Sequence, residues 1–331
     1  MGSSALLDDL DGAASILWLG PDPKEELPVL YLRLRRAVMH GTRLVVVGPR
    51  RTSLSELGIH AACPPGGEDE ALSVLLAEPG AGPDAGGRYA EAVEALQGGP
   101  VIVCAGQPFV GLSVRPALDR LAAWITRRRE ARLMLCVPNA NSQGALDMGI
   151  FPGFGPGHRP AVPGLDTAGM LRAAAGGRIK FLWLMGADLV SDFPDAGLAD
   201  AALSSDAFIV VSELFPTDTA RAANVMLPVA SMAEKDGSYT NLERRIQKLD
   251  EVLPAPGSVR TDWRIAHDIA RRLGADWGWS SASDVSASIA ASIAANVPTH
   301  AQYTWELLTM PPPPPSRSRR CSRRRSVIRW A

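Results

Sequence analysis

The sequence predicts an α/β chain built from two strand–loop–helix–strand units carried on parallel sheets. Three observations lead there. Short apolar runs of strand length alternate with longer stretches whose apolar residues recur at helical spacing, the pattern of strand–crossover units. The plan also occurs twice: LWLGPDP followed by LVVVGPRRT is paralleled by LWLMGADL followed by VVSELFPTDT. Finally, the 331 residues are 46% hydrophobic and 21% charged, ample for a globular core, and no apolar run approaches the roughly 18–20 residues that would span a bilayer.

Taken in order, Ser15–Gly20 reads as a strand, Leu27–Met39 as a helix and Leu44–Val47 as a strand that ends in Gly48 and Pro49. Residues 64–88 are rich in Gly, Pro and acid and predict a loop around one short apolar stretch. Val101–Ala105 is a strand, Ser113–Arg129 a helix and Leu133–Val137 a strand. Asn139–Leu165, with six glycines and four prolines, predicts a long irregular segment of the kind that serves as a functional or interdomain loop. Phe181–Met185 is a strand ending in Gly186 and Asp188, Ala196–Leu203 a short helix, and Phe208–Val211 a strand apolar enough to be covered on both faces. Val225–Pro228 reads as a second short buried segment. Thr261–Leu273 predicts an amphipathic helix with Ile265, Ile269 and Leu273 on one face. These are two Rossmann-like units, and the ligand crevice of such sheets lies beyond the carboxyl ends of the strands. The expected division is 1–137 for the first unit, 138–165 for a Gly/Pro-rich interdomain loop, 166–280 for the second unit and 281–331 for a helical or irregular end.

The formal charge of −1 hides an asymmetry: seven arginines and no acid lie between Arg317 and Arg329, which leaves about −8 on the body. With Pro311–Pro315 this predicts a disordered basic C-terminal tail. Such Arg, Pro and Ser runs also arise when a GC-rich gene is read out of frame, so the expectation is a frameshift or premature end after about Leu308. Without an aromatic stacking platform, the tail does not predict nucleic-acid binding. The N-terminus lacks a basic region followed by an apolar one, so no secretory signal is expected. Cys63, Cys104, Cys136 and Cys321 form no C-x-x-C pair. Those in apolar runs, Cys104 and Cys136, predict small buried hydrophobes in a reducing cytoplasm, Cys63 reads as a loop cysteine, and none predicts a metal ligand.

The densest stretch is FIVVSELFPTDTARAANVMLPVASMAEKDGSYTNLERRIQ, residues 208–247. Glu213, Thr217, Thr219, Ala220, Ala223, Leu227, Pro228, Glu234, Gly237, Thr240, Asn241, Glu243, Arg245 and Gln247 stand in one ordered run that resembles the molybdopterin oxidoreductase superfamily, of formate dehydrogenase and DMSO reductase type. The run departs from that pattern at Asn224 (usually Asp), Ser238 (usually Thr) and Arg244 (usually Gly). A second stretch, Asn139–Ile150 followed by Pro152–Pro160, resembles the large peripheral-arm subunit of NADH:quinone oxidoreductase, respiratory complex I. The resemblance covers about residues 12–280.

The resemblance implies two facing halves that each hold one pterin guanine dinucleotide in catalytic members, which add molybdenum or tungsten and an N-terminal iron–sulfur cluster. Neither cysteine motif for these is present, so this chain is expected to hold no metal and no cofactor, the iron–sulfur portion being missing. In the complex I subunit the domain is a scaffold of the electron-transfer arm between NADH and quinone. The implied role is that of a non-catalytic part of the arm, partnered by its other subunits, cytoplasmic and membrane-associated only through the complex. A fragment of a molybdenum formate dehydrogenase or nitrate reductase and a stand-alone nucleotide-binding protein are the alternatives. Candidate residues of a vestigial pterin or nucleotide pocket are Gly20, Gly48 and Gly186 at strand ends, where glycine lets a phosphate approach. The acids Asp188 and Glu213 would face a guanine or ribose. Thr217, Thr219, Thr240, Asn241, Glu243 and Gln247 would line the pocket. Tight turns, helix caps and a self-satisfied polar loop network are the competing readings. His158 and His267 stand alone and predict no catalytic role.

Overall fold

The structure is a computed structural model that describes residues 5–77, 87–106 and 115–293. The first unit contains β1 (Ser15–Leu19), α1 (Pro23–Glu26), α2 (Pro28–Met39), β2 (Arg43–Gly48), β3 (Ile59–Ala62), α3 (Glu68–Leu75), α4 (Ala90–Gln97), β4 (Val101–Gly106), α5 (Arg115–Arg127) and β5 (Ala131–Cys136). Its five strands are all parallel and lie in the order β3-β2-β1-β4-β5. Side-chain alternation divides them between two cores. Leu17, Val45, Val47, Val101 and Val103 meet Leu72, Leu96 and Leu121 of α3, α4 and α5 on one face. Ile16, Trp18, Val46, Ile102 and Met134 meet Leu30 and Leu34 of α2 on the other. Both faces are covered, as a parallel sheet requires.

Between the units lie α6 (Ser142–Asp147) and the short pair β6 (Phe154–Gly155) and β7 (Arg159–Pro160). The second unit contains α7 (Thr167–Ala175), β8 (Phe181–Met185), α8 (Leu189–Asp192), α9 (Ala196–Leu203), β9 (Phe208–Glu213), α10 (Asp218–Ala222) and β10 (Val225–Pro228), with a parallel sheet in the order β10-β9-β8. A hairpin of β11 (Gly237–Thr240) and β12 (Ile246–Leu249) follows, then α11 (Asp262–Arg272) and α12 (Ala282–Ile293).

Several expectations need correction. Residues 64–88 are not only loop: three acids at the start of α3 favour its N-terminus, and Ala71, Leu72 and Leu75 bury its inner face. The interdomain segment carries α6 rather than being irregular throughout. α7 and α9 cover one face of the second sheet through Leu171, Ala174, Ala199 and Ala202. At the start of the sheet Phe208 is 49% exposed and stacks on Phe181 at 6.4 Å, whereas Ile209, Val210, Val211 and Ser212 are buried, so β9 is covered on both faces beyond its first residue. β10 is an edge strand with Val225 exposed. Leu273 is exposed too: it caps α11 instead of sharing the face of Ile265. Ser113, Val114 and the whole basic tail, Cys321 included, lie outside the described residues.

Candidate functional site

The order of the first sheet reverses direction at β1, whose neighbours are β2 on one side and β4 on the other. That switch point is where open α/β sheets bind ligands. A cavity of about 550 Å³ opens there, bounded by the carboxyl ends of β1, β2, β4 and β5 and by α3, α5 and α6. Leu19, Val47, Leu72, Leu121, Leu135 and Phe151 make most of its wall apolar, and Glu68 is the single charged residue among the described residues lining it.

Gly20 and Gly106 form the mouth. Gly20 has φ +152°, and a Cβ there would lie 3.0 Å from the Gly106 Cα. The close approach is therefore to the next strand's backbone, which alone suffices to require glycine. Gly48 is buried, and its carbonyl accepts from His60 Nε2 at 3.0 Å and from the Cys63 amide at 3.3 Å. Just past β1, the Asp22 carboxylate caps α1 by accepting from the Lys24 amide at 3.0 Å, and it also accepts from the amide (2.7 Å) and hydroxyl of Ser53 after β2. Burial pushes the Asp22 pKa up, but the Ser53 hydroxyl and the two amides outweigh it and hold the carboxyl below its usual value. A side-chain anion thus takes the donors that strand-end loops offer to a phosphate.

In the second unit Gly186 has φ +60° with open space before it. Asp188 accepts from the hydroxyls of Thr219 and, at 2.9 Å, Ser191, and the Thr219 bond leads in holding its pKa below the ordinary carboxylate value. Thr219 is fully buried and accepts from the Val190 amide at 3.1 Å. Thr217 caps α10 through Ala220, and Glu213 accepts from the Leu214 amide at 2.7 Å. These residues knit the loops after β8 and β9 together.

The hairpin residues point elsewhere. The Thr240 amide donates to Asn141 Oδ1 at 2.9 Å. The Asn241 side chain accepts from the amides of Glu243 and Arg245 and shapes the turn. Glu243 accepts from the Leu7 amide at 2.8 Å, Leu242 packs on the α2-side core of the first unit, and Gln247 is exposed. Thr240, Asn241, Glu243 and Gln247 are thus not brought together around the switch-point cavity.

Sequence reasoning missed the cluster around Asp147, whose Oδ1 accepts from Gln143 at 2.8 Å, His158 Nε2 at 2.9 Å and Arg244 at 3.4 Å. The signal was present in Arg244, the residue that replaces a glycine and keeps its left-handed backbone at φ +61°. His267 is buried beside Trp277 and Trp279. Cys63, Cys104 and Cys136 are buried free thiols, and burial, aided by Glu68, pushes the Cys63 pKa up to about 11. Among the described residues no three His, Cys, Asp or Glu side chains group as metal ligands.

The family pattern described as molybdopterin oxidoreductase matches residues 99–272, more than half of the chain. The chain belongs to the molybdopterin oxidoreductase family. Two relatives illustrate its breadth. YrhE of Bacillus subtilis (strain 168), which bears a formate dehydrogenase name, is 29% identical over 93% of this chain and 37% of its own length. A subunit of the NADH-quinone oxidoreductase of Streptomyces coelicolor is 31% identical over 81% of this chain and 34% of its own length. The chain therefore spans little more than a third of these curated relatives. Acetylene hydratase from Pelobacter acetylenicus shares the fold, with a TM-score of 0.63 at 15% identity over 89% of this chain and 51% of that one.

Members of the molybdopterin oxidoreductase family imply a molybdenum–pterin cofactor. The switch-point cavity of this chain does not fit its dinucleotide. No Lys or Arg is among the described residues lining the cavity, whose wall is apolar apart from Glu68 and Ser142, so it offers a diphosphate no counter-charge. No helix of the described residues is long and apolar enough to cross a membrane.

Proposed function

We propose that this chain is a non-catalytic structural part of an NADH:quinone oxidoreductase peripheral arm, in the role of that arm's large subunit. In this reading it holds no molybdenum–pterin cofactor, supports electron transfer from NADH to quinone, and meets the membrane only through its partner subunits on the cytoplasmic side. The observation that carries the reading is the switch-point cavity, whose apolar wall and single acid among the described residues suit a structural frame better than a diphosphate cradle. The similarity to the Streptomyces coelicolor subunit over 81% of this chain supports the same reading.

A second reading, a fragment of a molybdenum formate dehydrogenase, is favoured by the 93% coverage of this chain by YrhE. Molybdenum and released pterin in the purified protein, together with co-purification of peripheral-arm subunits, separate the two. The scaffold reading expects neither molybdenum nor pterin, and recovery of the arm's subunits. Stoichiometric molybdenum with guanine dinucleotide would overturn it.

A further inference from the structure

We propose that the switch-point cavity binds a small amphipathic cation, with an apolar body against the strand ends and one ammonium group on the Glu68 carboxylate. The inference rests on the reading that this cavity no longer holds a dinucleotide, and it assigns the cavity a different ligand class.

Volume and wall come first. About 550 Å³ is within the range of pockets that enclose small molecules, which are mostly apolar with a few placed polar groups. Here the apolar part comes from rigid elements: Leu19 and Val47 from β1 and β2, Leu72 from α3, Leu121 from α5, Leu135 from β5 and Leu146 from α6. The placed polar group is Glu68, in the first turn of α3. Its Oε1 is buried and has no hydrogen-bond partner among the described residues. A buried carboxylate oxygen without a donor is costly, whereas an N–H donor from a ligand converts that cost into a charge-assisted bond. No cationic residue of the described lining competes for it.

The charge of the neighbouring hollow decides the sign of the ligand. Behind Leu135, Leu146 and Phe151 lies a space of about 220 Å³ lined by Gln143, His158 and Arg244. Arg244 and His158 already face Asp147 there, so their side offers little net positive charge to an anionic head. Glu68 is the one charged side chain of the larger cavity's described lining, and its sign selects a cation.

The test is calorimetric titration of the full chain with octylammonium, sodium octanoate and guanosine diphosphate. Octylammonium is expected to bind. Glu68→Gln should weaken it by at least about tenfold, as loss of a charge-assisted bond implies, and Ala145→Phe, which fills the space from α6, should abolish it with the far-UV spectrum unchanged. Octanoate and guanosine diphosphate should give no heat. The proposal falls if octylammonium gives no heat at millimolar concentration, if Glu68→Gln binds as tightly as the parent, or if either anion binds as well as the amine. Octanoate binding lost in Arg244→Met would instead move the ligand to the smaller hollow. Molybdenum and pterin content of the same preparation tests the scaffold reading separately, so the two failures are distinguishable.

Discussion

Replacing Asp147 by Ala should be among the most damaging single changes to this chain, at about 3–5 kcal/mol of unfolding free energy, the cost of breaking a buried ion pair by removing one partner. The structure says how that cost arises. The Asp147 side chain is fully buried and that of Arg244 is 16% exposed, so the guanidinium cannot regain full hydration when its acceptor goes. Its 3.4 Å contact is long, which places its own loss at the lower end. Gln143, only 5% exposed, would keep an unpaired amide worth about 1–3 kcal/mol. His158, with its side chain 43% exposed, rehydrates and adds little. Urea unfolding followed by tryptophan fluorescence and far-UV dichroism measures the total. The double variant Asp147→Leu, Arg244→Gly should recover part of the loss, because it removes both charges and relieves a left-handed backbone at a gain of about 1 kcal/mol. An Asp147→Ala cost below about 1 kcal/mol, or a double variant no better than the single one, would refute the reasoning.

Other outcomes follow from single contacts. Asp22→Asn should cost about 1 kcal/mol at neutral pH as a weakened cap. Because the folded pKa of Asp22 lies below its unfolded value near 3.9, its contribution is complete above about pH 4 and is lost as pH falls through the folded pKa, so stability curves of parent and variant should converge there. Gly20→Ala should cost about 2–3 kcal/mol, combining strain and the 3.0 Å clash with Gly106, whereas Gly186→Ala, with open space, should cost about 1 kcal/mol; melting curves of the pair check the difference. In a Cys321→Ser background no thiol should react quickly with a disulfide reagent at pH 8 until urea is added, since Cys63, Cys104 and Cys136 are buried. Phe181→Ser with Phe208→Ser should lower binding of an apolar dye, because those stacked rings are exposed where β8 and β9 start.

The elements that could be read from the sequence are those whose local signals agree with their packing. Ala196–Leu203 has the bounds that its pattern predicts, with Asp195 as its cap, and Thr217 caps α10 as a Thr-Asp-Thr cluster should. β3 escaped because IHAA is short and lacks β-branched alternation; its place is fixed by pairing with Val45–Gly48 instead. α3 was hidden among Gly, Pro and acid, and with it Glu68. The exposure of Phe208 was equally illegible, since an apolar run reads the same whether or not its first residue is covered. Contacts of high sequence separation, such as Asn141 with Thr240 and Asp147 with Arg244, have no local signature at all.

The Asp147 cluster also bears on why the signature block survives. Two of the three non-glycine residues with positive φ among the described residues, His158 at +57° and Arg244 at +61°, converge on one carboxylate from segments far apart in the chain. Strain of this kind persists only where surrounding contacts over-determine it. Here the contacts are the Asp147 bonds, Asn141 on the Thr240 amide, Glu243 on the Leu7 amide and Leu242 in the first unit's core. The Arg244 bond and the last three join the β11–β12 hairpin to the first unit or to the α6 segment, the Gln143 and His158 bonds hold Asp147 in place, and none of these polar side chains is among the described lining of the switch-point cavity. An arginine at a glycine position would be a liability in a turn that had only to pass near a pterin. In a joint it supplies the charge that holds the turn to a buried acid. The departure from the family pattern at residue 244 is therefore better explained by a chain that keeps this block to fasten its parts together than by one that keeps it to line a cofactor pocket.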